Sequence, residues 1–163
     1  MHYFIDGYNF LFQLYEEIDP LRQKRDEVIE ILQEKLRYLK LNITIVFDSH
    51  YAQGNFFPTR FDHLSLEIIY TPSGQTADSY ILEALTWKKN RNQETVITSD
   101  KRLGKLIQEL GVKVEPIEAF IPWILKKELQ HHRKEYKHTL QESPREFKRL
   151  LEAFEKNFKN EES

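Results

Sequence analysis

The 163-residue chain contains no cysteine. That excludes a disulfide framework, a thiolate zinc site, an iron–sulfur cluster and a cysteine nucleophile, leaves oxygen and histidine as metal donors, and suits a reducing cytosol. Glycine is scarce too, with five in the chain. None of them builds a Gly-x-Gly-x-x-Gly after the first apolar run or a Gly-x-x-x-x-Gly-Lys-Ser/Thr, so neither a dinucleotide fingerprint nor a nucleotide P-loop is present. A Gly-x-Ser-x-Gly elbow is missing as well, and Tyr8 stands where a haloacid-dehalogenase-like phosphatase would place a second aspartate after Asp6. These gaps argue against a covalent intermediate and favour an activated water. No run of about 18 uncharged apolar residues occurs, and Met1 to Asp6 lacks a basic leader, so neither a membrane span nor a recognisable secretion signal is expected.

What the chain does have is 40% apolar and 31% charged residues, the composition of a globular domain with one sizeable core. Its net charge of −2 exerts no global pull on nucleic acid, but the charge is uneven. Residues 1–125 carry 14 basic against 18 acidic side chains; residues 126–159 carry 10 against 6, with three of the six histidines. The expected organisation is therefore a body, 1–125, and a basic helical extension, 126–163.

Within the body, strand and helix patterns alternate. His2 to Ile5 reads as a strand ending on Asp6, followed by turn chemistry at Gly7-Tyr8-Asn9. Asp19-Pro20 opens an amphipathic helix as N-cap and first-turn residue, with Leu21, Val28, Ile31, Leu32, Leu36 and Leu39 on its apolar face. Asn42 to Asp48 is a β-branched run of the kind covered on both faces of a sheet. Residues 49–63 read as a long loop, Leu64 to Thr71 as a third strand, and Thr76 to about Lys89 as a helix. Glu94 to Ser99 is a fourth strand ending at Asp100. A helix from Lys101 stops before Gly111, and Val112 to Glu115 is a fifth strand. Such alternation predicts an α/β fold: a parallel sheet of about five strands with helices on both faces, followed by helical segments after Pro116. In the last of these, Phe147, Leu150, Leu151, Phe154 and Phe158 form a stripe.

Asp6, Asp48 and Asp100 each end a strand, and Asp78 lies in the first turn of the helix after strand three. A doubly wound sheet brings such positions to one rim, where its ligands bind. Each aspartate alone has a structural use, as a helix cap, a dipole partner or a turn residue. Four in one crevice repel unless they are protonated or bridged by cations. Mg²⁺ or Mn²⁺ would fit that charge and suits phosphodiester hydrolysis by activated water.

Ile5-Asp6-Gly7-Tyr8-Asn9, Val46-Phe47-Asp48-Ser49-His50, Gly74-Gln75-Thr76-Ala77-Asp78-Ser79-Tyr80-Ile81 and Thr98-Ser99-Asp100 together resemble the motifs of the YacP-like NYN-domain family, within the PIN-like nucleases. The resemblance covers about residues 3–120. It implies a PIN-like fold, a bacterial cytoplasmic protein and a divalent-metal endoribonuclease; single-stranded RNA is the expected substrate, and the basic face of the tail is the expected contact for RNA or the ribosome. It also implies that Asp6, Asp78 and Asp100 are the catalytic metal carboxylates, that Asp48 completes the acidic rim, and that Asn9 orients a ligand. Tyr8, His50, Thr76, Ser99, Lys101 and Arg102 are the expected substrate contacts, Tyr8 by stacking a base and the two cations by neutralising phosphate. The chain departs from the family at Gln75, where an acidic residue is usual. A non-catalytic RNA-binding or ribosome-associated module with the same fold is the alternative. Phe56, Phe57 and Phe61 are further stacking candidates in the long loop. Trp87 and Trp123 are expected in the core, and His131 and His132 on a solvated face.

Overall fold

A computed structural model of the chain describes residues 1–16, 20–37, 39–49, 59–63 and 65–135. Among these, β1 (His2–Asp6), α1 (Gly7–Leu14), α2 (Leu21–Leu36), β2 (Asn42–Phe47), β3 (Thr59–His63), β4 (Leu66–Tyr70), α3 (Ala77–Thr86), β5 (Glu94–Ile97), α4 (Lys101–Glu109), β6 (Lys113–Glu115) and α5 (Ile117–Glu135) follow in order. The strands form one six-stranded sheet, β3-β4-β2-β1-β5-β6. All neighbours run parallel except the β3/β4 pair. α1, α2 and α5 cover one face through Leu11, Leu32 and Ile121, and α3 and α4 cover the other through Ile81 and Ile107. Both faces being dry explains why β1, β2 and β5 read as near-continuous apolar runs.

Four features differ from the sequence expectation. The segment 49–63 is not wholly a loop, because Thr59–His63 pairs antiparallel with β4 as an edge strand and raises the strand count to six. Its sequence, TRFDH, has no β-branched apolar run, so only the partner strand reveals it. α1 begins directly at Gly7 rather than after a turn. Pro20 is the N-cap of α2 rather than its first helical residue, so the helix starts one position later than expected, and Asp19 lies outside the described residues. Trp87 is 81% exposed instead of buried, whereas Trp123 packs beside Tyr3 and Phe120 at centroid distances of 5.6 and 5.7 Å. α5 runs unbroken through residue 125, and a buried Lys35 Nζ to Glu128 Oε1 ion pair of 2.9 Å ties it to α2. The basic extension from residue 136 onward, with the Phe and Leu stripe, lies outside the described residues.

A polar rail crosses the sheet near its amino-terminal edge. His2 Nδ1 lies 2.6 Å from Glu94 Oε2 and its Nε2 lies 2.8 Å from Thr44 Oγ1, which in turn donates to Glu67 Oε2 at 2.7 Å. Lys88 Nζ completes it from the end of α3, 2.8 Å from Glu94 Oε1.

Two glycines have opposite packing requirements. A β-carbon on Gly7 would lie 2.5 Å from Cδ1 and Cε1 of the fully buried Phe47 ring, whereas one on Gly104 would meet Val114 at an ordinary 3.6 Å. Overpacking costs about 1–3 kcal/mol, more than the roughly 1 kcal/mol that alanine gains over glycine in a helix. Gly7→Ala should therefore lower stability by about 1–2 kcal/mol and Gly104→Ala should raise it by up to about 1 kcal/mol. Urea titration of both variants checks this; a stabilised Gly7→Ala protein would refute the close-packing account.

Candidate active site

The chain leaves β1 toward β2 on one side and leaves β5 toward β6 on the other, so the strand order reverses between β1 and β5. A crevice opens at such a switch point, outside the carboxyl ends of the strands. Asp6 ends β1, and Asp100 follows β5 and caps α4. α3 crosses from β4 to β5 above that point and carries Asp78 in its first turn. Topology alone thus brings three aspartates together from positions 6, 78 and 100.

Each also has a local structural duty. Asp6 Oδ1 accepts from Asn9 N at 3.3 Å and caps α1. Asp100 Oδ1 accepts from Arg102 N at 2.7 Å and Leu103 N at 3.0 Å, capping α4. Asp78 Oδ2 accepts from the Arg102 guanidinium at 3.3 Å. The caps use one oxygen of each carboxylate, so structural and chemical roles coexist.

The electrostatics follow from burial and from like charge. Asp6 is buried, and that burial is the main reason its pKa rises to about 7; the cap from Asn9 opposes the rise, and Asp78 and Asp100 add to it. Asp78 is raised as well, first by burial and then by Asp100, while Arg102 pulls it down. The two carboxylates act on each other: Asp78 raises Asp6, while Arg102 favours the charged form of Asp78.

The remaining predicted residues separate into groups. Asp48 follows β2 and is partly exposed; it is not among the charges that act most on Asp6 or Asp78. Asn9 Oδ1 accepts from Ser99 N at 3.1 Å and so ties α1 to the loop after β5, which makes it a positioning residue. Ser99 Oγ donates to Glu118 Oε2 at 2.6 Å and accepts from Ile117 N at 3.1 Å, fastening the same loop to α5. Thr76 caps α3 through Ser79 N at 3.2 Å. Lys101 and Arg102 are exposed at the rim. Gln75 Nε2 donates to Glu83 Oε2 at 2.8 Å, so its side chain runs along the outside of α3; a glutamate there would face Glu83. His50, Phe56 and Phe57 lie outside the described residues.

Tyr8 corrects the expectation of a base-stacking ring beside the site. It is buried, because starting α1 at Gly7 turns it inward onto Phe47, edge to face at 5.2 Å. Its place at the surface is taken by Phe12, one turn along, 47% exposed and stacked on Tyr8 at 6.3 Å. The four-residue step from Tyr8 to Phe12 was visible in the sequence, but the helix was not. Glu118, which holds Ser99, carried no sequence signal.

Among the described residues, no three Asp, Glu or His side chains close into a metal cage. The donor set still suits a hard cation: Mg²⁺ is commonly held by one or two carboxylates with waters and a substrate phosphate, and the raised pKa of Asp6 and of Asp78, each driven in part by a neighbouring aspartate, marks where positive charge is wanted.

A sequence model described as the YacP-like NYN domain matches residues 3–162. No curated protein is significantly similar to the chain. Among solved structures, the crystal structure of Rae1 (YacP) from Bacillus subtilis superposes with a TM-score of 0.64 at 24% identity, over 98% of this chain and 92% of that one. A single-substitution mutant of Rae1 gives a TM-score of 0.64 at 22% identity, over 94% and 92%. At these identities the likeness is one of fold.

The raised Asp6 pKa gives a pH dependence with a definite sign. Unfolded aspartate loses its proton near pH 4, folded Asp6 near 7. The stabilisation is complete below about pH 4, shrinks as pH rises, and is gone above about 7. At about 1.4 kcal/mol per pH unit the whole span is on the order of 4 kcal/mol. Metal-free wild type should therefore lose a few kcal/mol more than Asp6→Asn between pH 5 and 8, measured by urea titration in EDTA. Parallel profiles for the two proteins would refute the raised Asp6 pKa.

Proposed function

Because the chain belongs to the YacP-like NYN domain family, a family of PIN-like nucleases, we propose that it is a divalent-metal-dependent endoribonuclease that cleaves single-stranded RNA. The observation that carries this reading is the convergence of Asp6, Asp78 and Asp100 at the switch point of the sheet, close enough for Asp78 and Asp100 to raise the pKa of the buried Asp6. Asp6, Asp78 and Asp100 would hold Mg²⁺ or Mn²⁺, which would activate a water for attack on phosphorus and offset charge on the phosphoryl oxygens.

The chain's own groups supply the rest. Asn9 and Ser99 tie α1, which Asp6 caps, to the loop that carries Asp100. Arg102 restrains Asp78, and its exposed guanidinium, with Lys101, faces incoming phosphate. Phe12 offers a ring to an unpaired base near the rim. The setting proposed for this activity is the cytoplasm, where translating ribosomes would be a source of exposed RNA.

Structured and unstructured RNA, incubated with Mn²⁺, Mg²⁺ or EDTA, with and without ribosomes, test the proposal. Wild type should cut unstructured RNA only with metal. Asp78→Asn should lower kcat by at least about a hundredfold, since even residues behind metal ligands cost 10- to 100-fold. An inactive wild type under all these conditions would leave RNA binding without catalysis as the role of the fold. Arg102→Ala should keep metal-dependent cleavage but weaken RNA binding, flattening its logarithmic salt dependence by about 0.7 for the lost phosphate contact; an unchanged slope would show that Arg102 serves Asp78 alone.

A further inference from the structure

The end of α3 lies at the opposite edge of the sheet from the aspartates. Asp78 is in its first turn and Trp87 is its C-cap, nine residues on, which places them roughly 14 Å apart along the helix axis. Trp87 is 81% exposed, although tryptophan is on average a highly buried residue. Its backbone is nonetheless fixed. Trp87 N donates to Glu83 O at 3.3 Å, and the Arg91 guanidinium closes the helix by donating to Leu85 O at 3.0 Å and Thr86 O at 2.6 Å. The indole therefore stands on a rigid support.

Its surroundings are cationic and polar. From Ala84 to Gln93 the chain carries Lys88, Lys89 and Arg91 and no acidic residue. Glu94 neutralises Lys88 at 2.8 Å. Lys89 is exposed and has no carboxylate partner among the described residues, and Arg91 gives its bonds to carbonyls, so both charges stay uncompensated. Asn90, Asn92 and Gln93 add exposed amides. A protein partner would favour apolar neighbours, since interface cores are depleted in charge. A rigid ring, the exposed Lys89 with the uncompensated charge of Arg91, and amide groups instead meet the three needs of unpaired RNA: a stacking surface, phosphate contacts and hydrogen bonds to base edges.

We infer that Trp87, Lys89 and Arg91 form a second single-stranded RNA site, remote from the aspartates, that holds a flanking stretch of the RNA being cut at the rim. This rests on the nuclease reading above, and the experiment separates the two. The protein contains two tryptophans, and Trp123 is packed on Tyr3 and Phe120, so quenching by RNA reports mainly on Trp87. A 20-nucleotide oligouridylate in EDTA should quench the emission of wild type. Trp87→Ala should abolish the quench and weaken binding at least about fivefold, the equivalent of 1 kcal/mol of base stacking; Trp87→Phe should keep most of the affinity. Lys89→Gln should lower the logarithmic salt slope by about 0.7. Cleavage of the dinucleotide UpA with Mn²⁺, too short to reach α3's far end, should be the same in all variants. Equal oligouridylate affinity and an unchanged quench in Trp87→Ala overturn the remote site. If wild type still cleaves RNA in that case, the nuclease reading stands without it; if wild type neither binds nor cleaves RNA, both fall. Should sedimentation show a wild-type dimer that Trp87→Ala dissociates, with RNA affinity unchanged, the ring is a protein contact and the inference is wrong.

Discussion

The closeness of Gly7 to the Phe47 ring governs the geometry of the rim. With no side chain at position 7, the backbone turns from β1 into α1 without an intervening loop, and Asp6 is at once the last strand residue and the first helix cap. A longer connection would let Asp6 follow solvent. Instead it is held in a buried position, where desolvation first and its acidic neighbours next raise its proton affinity. The same turn buries Tyr8 and leaves Phe12 outside. One missing methyl group thus decides which carboxylate is buried and which ring is offered.

Structural and chemical uses of the aspartates are often set against each other, yet here they share atoms without conflict. A helix cap fixes one oxygen and orients the other, so Asp100 is pre-positioned by Arg102 N and Leu103 N rather than diverted by them. Arg102 then acts twice. Its backbone defines the cap of α4, and its side chain moderates the repulsion between Asp78 and its neighbours. The rim tolerates three acids in a small space because one keeps a proton, one has a cation and one is tied to amides.

The convergence of Asp6, Asp78 and Asp100 was legible in the sequence because strands of a parallel sheet all end on the same side, and alternation of strand and helix patterns is a strong signal. The fold class was legible for the same reason. What escaped depended on partners distant in sequence. β3 is a strand because β4 pairs with it, not because TRFDH favours one. The start of α1 needed Phe47, forty residues away, and Gly7-Tyr8-Asn9 carries genuine turn propensity that packing overrides. The exposure of Trp87 could not be read from its helical pattern, since that pattern ends at the residue itself. The links from Asn9 to Ser99 and from Ser99 to Glu118 join neutral or common residues across 90 and 19 positions and leave no local trace.

The polar rail of His2, Thr44, Glu67 and Glu94 bears on how the chain finds its pairing. Strands with both faces dry, such as Phe4-Ile5 beside Ile43-Thr44-Ile45-Val46, lack the alternation that normally distinguishes correct alignment from one displaced by a residue. The rail supplies what the apolar side chains cannot. His2 faces Asn42 and Glu94 in the native ladder, within reach of Thr44; a slip of one residue would point Thr44 to the opposite face and leave His2, Glu67 and Glu94 to bury polar groups without partners. Misaligned sheets would thereby be rejected by unsatisfied hydrogen bonds rather than by poor packing, and an interaction at the sheet edge farthest from the aspartates would secure the alignment that brings them together.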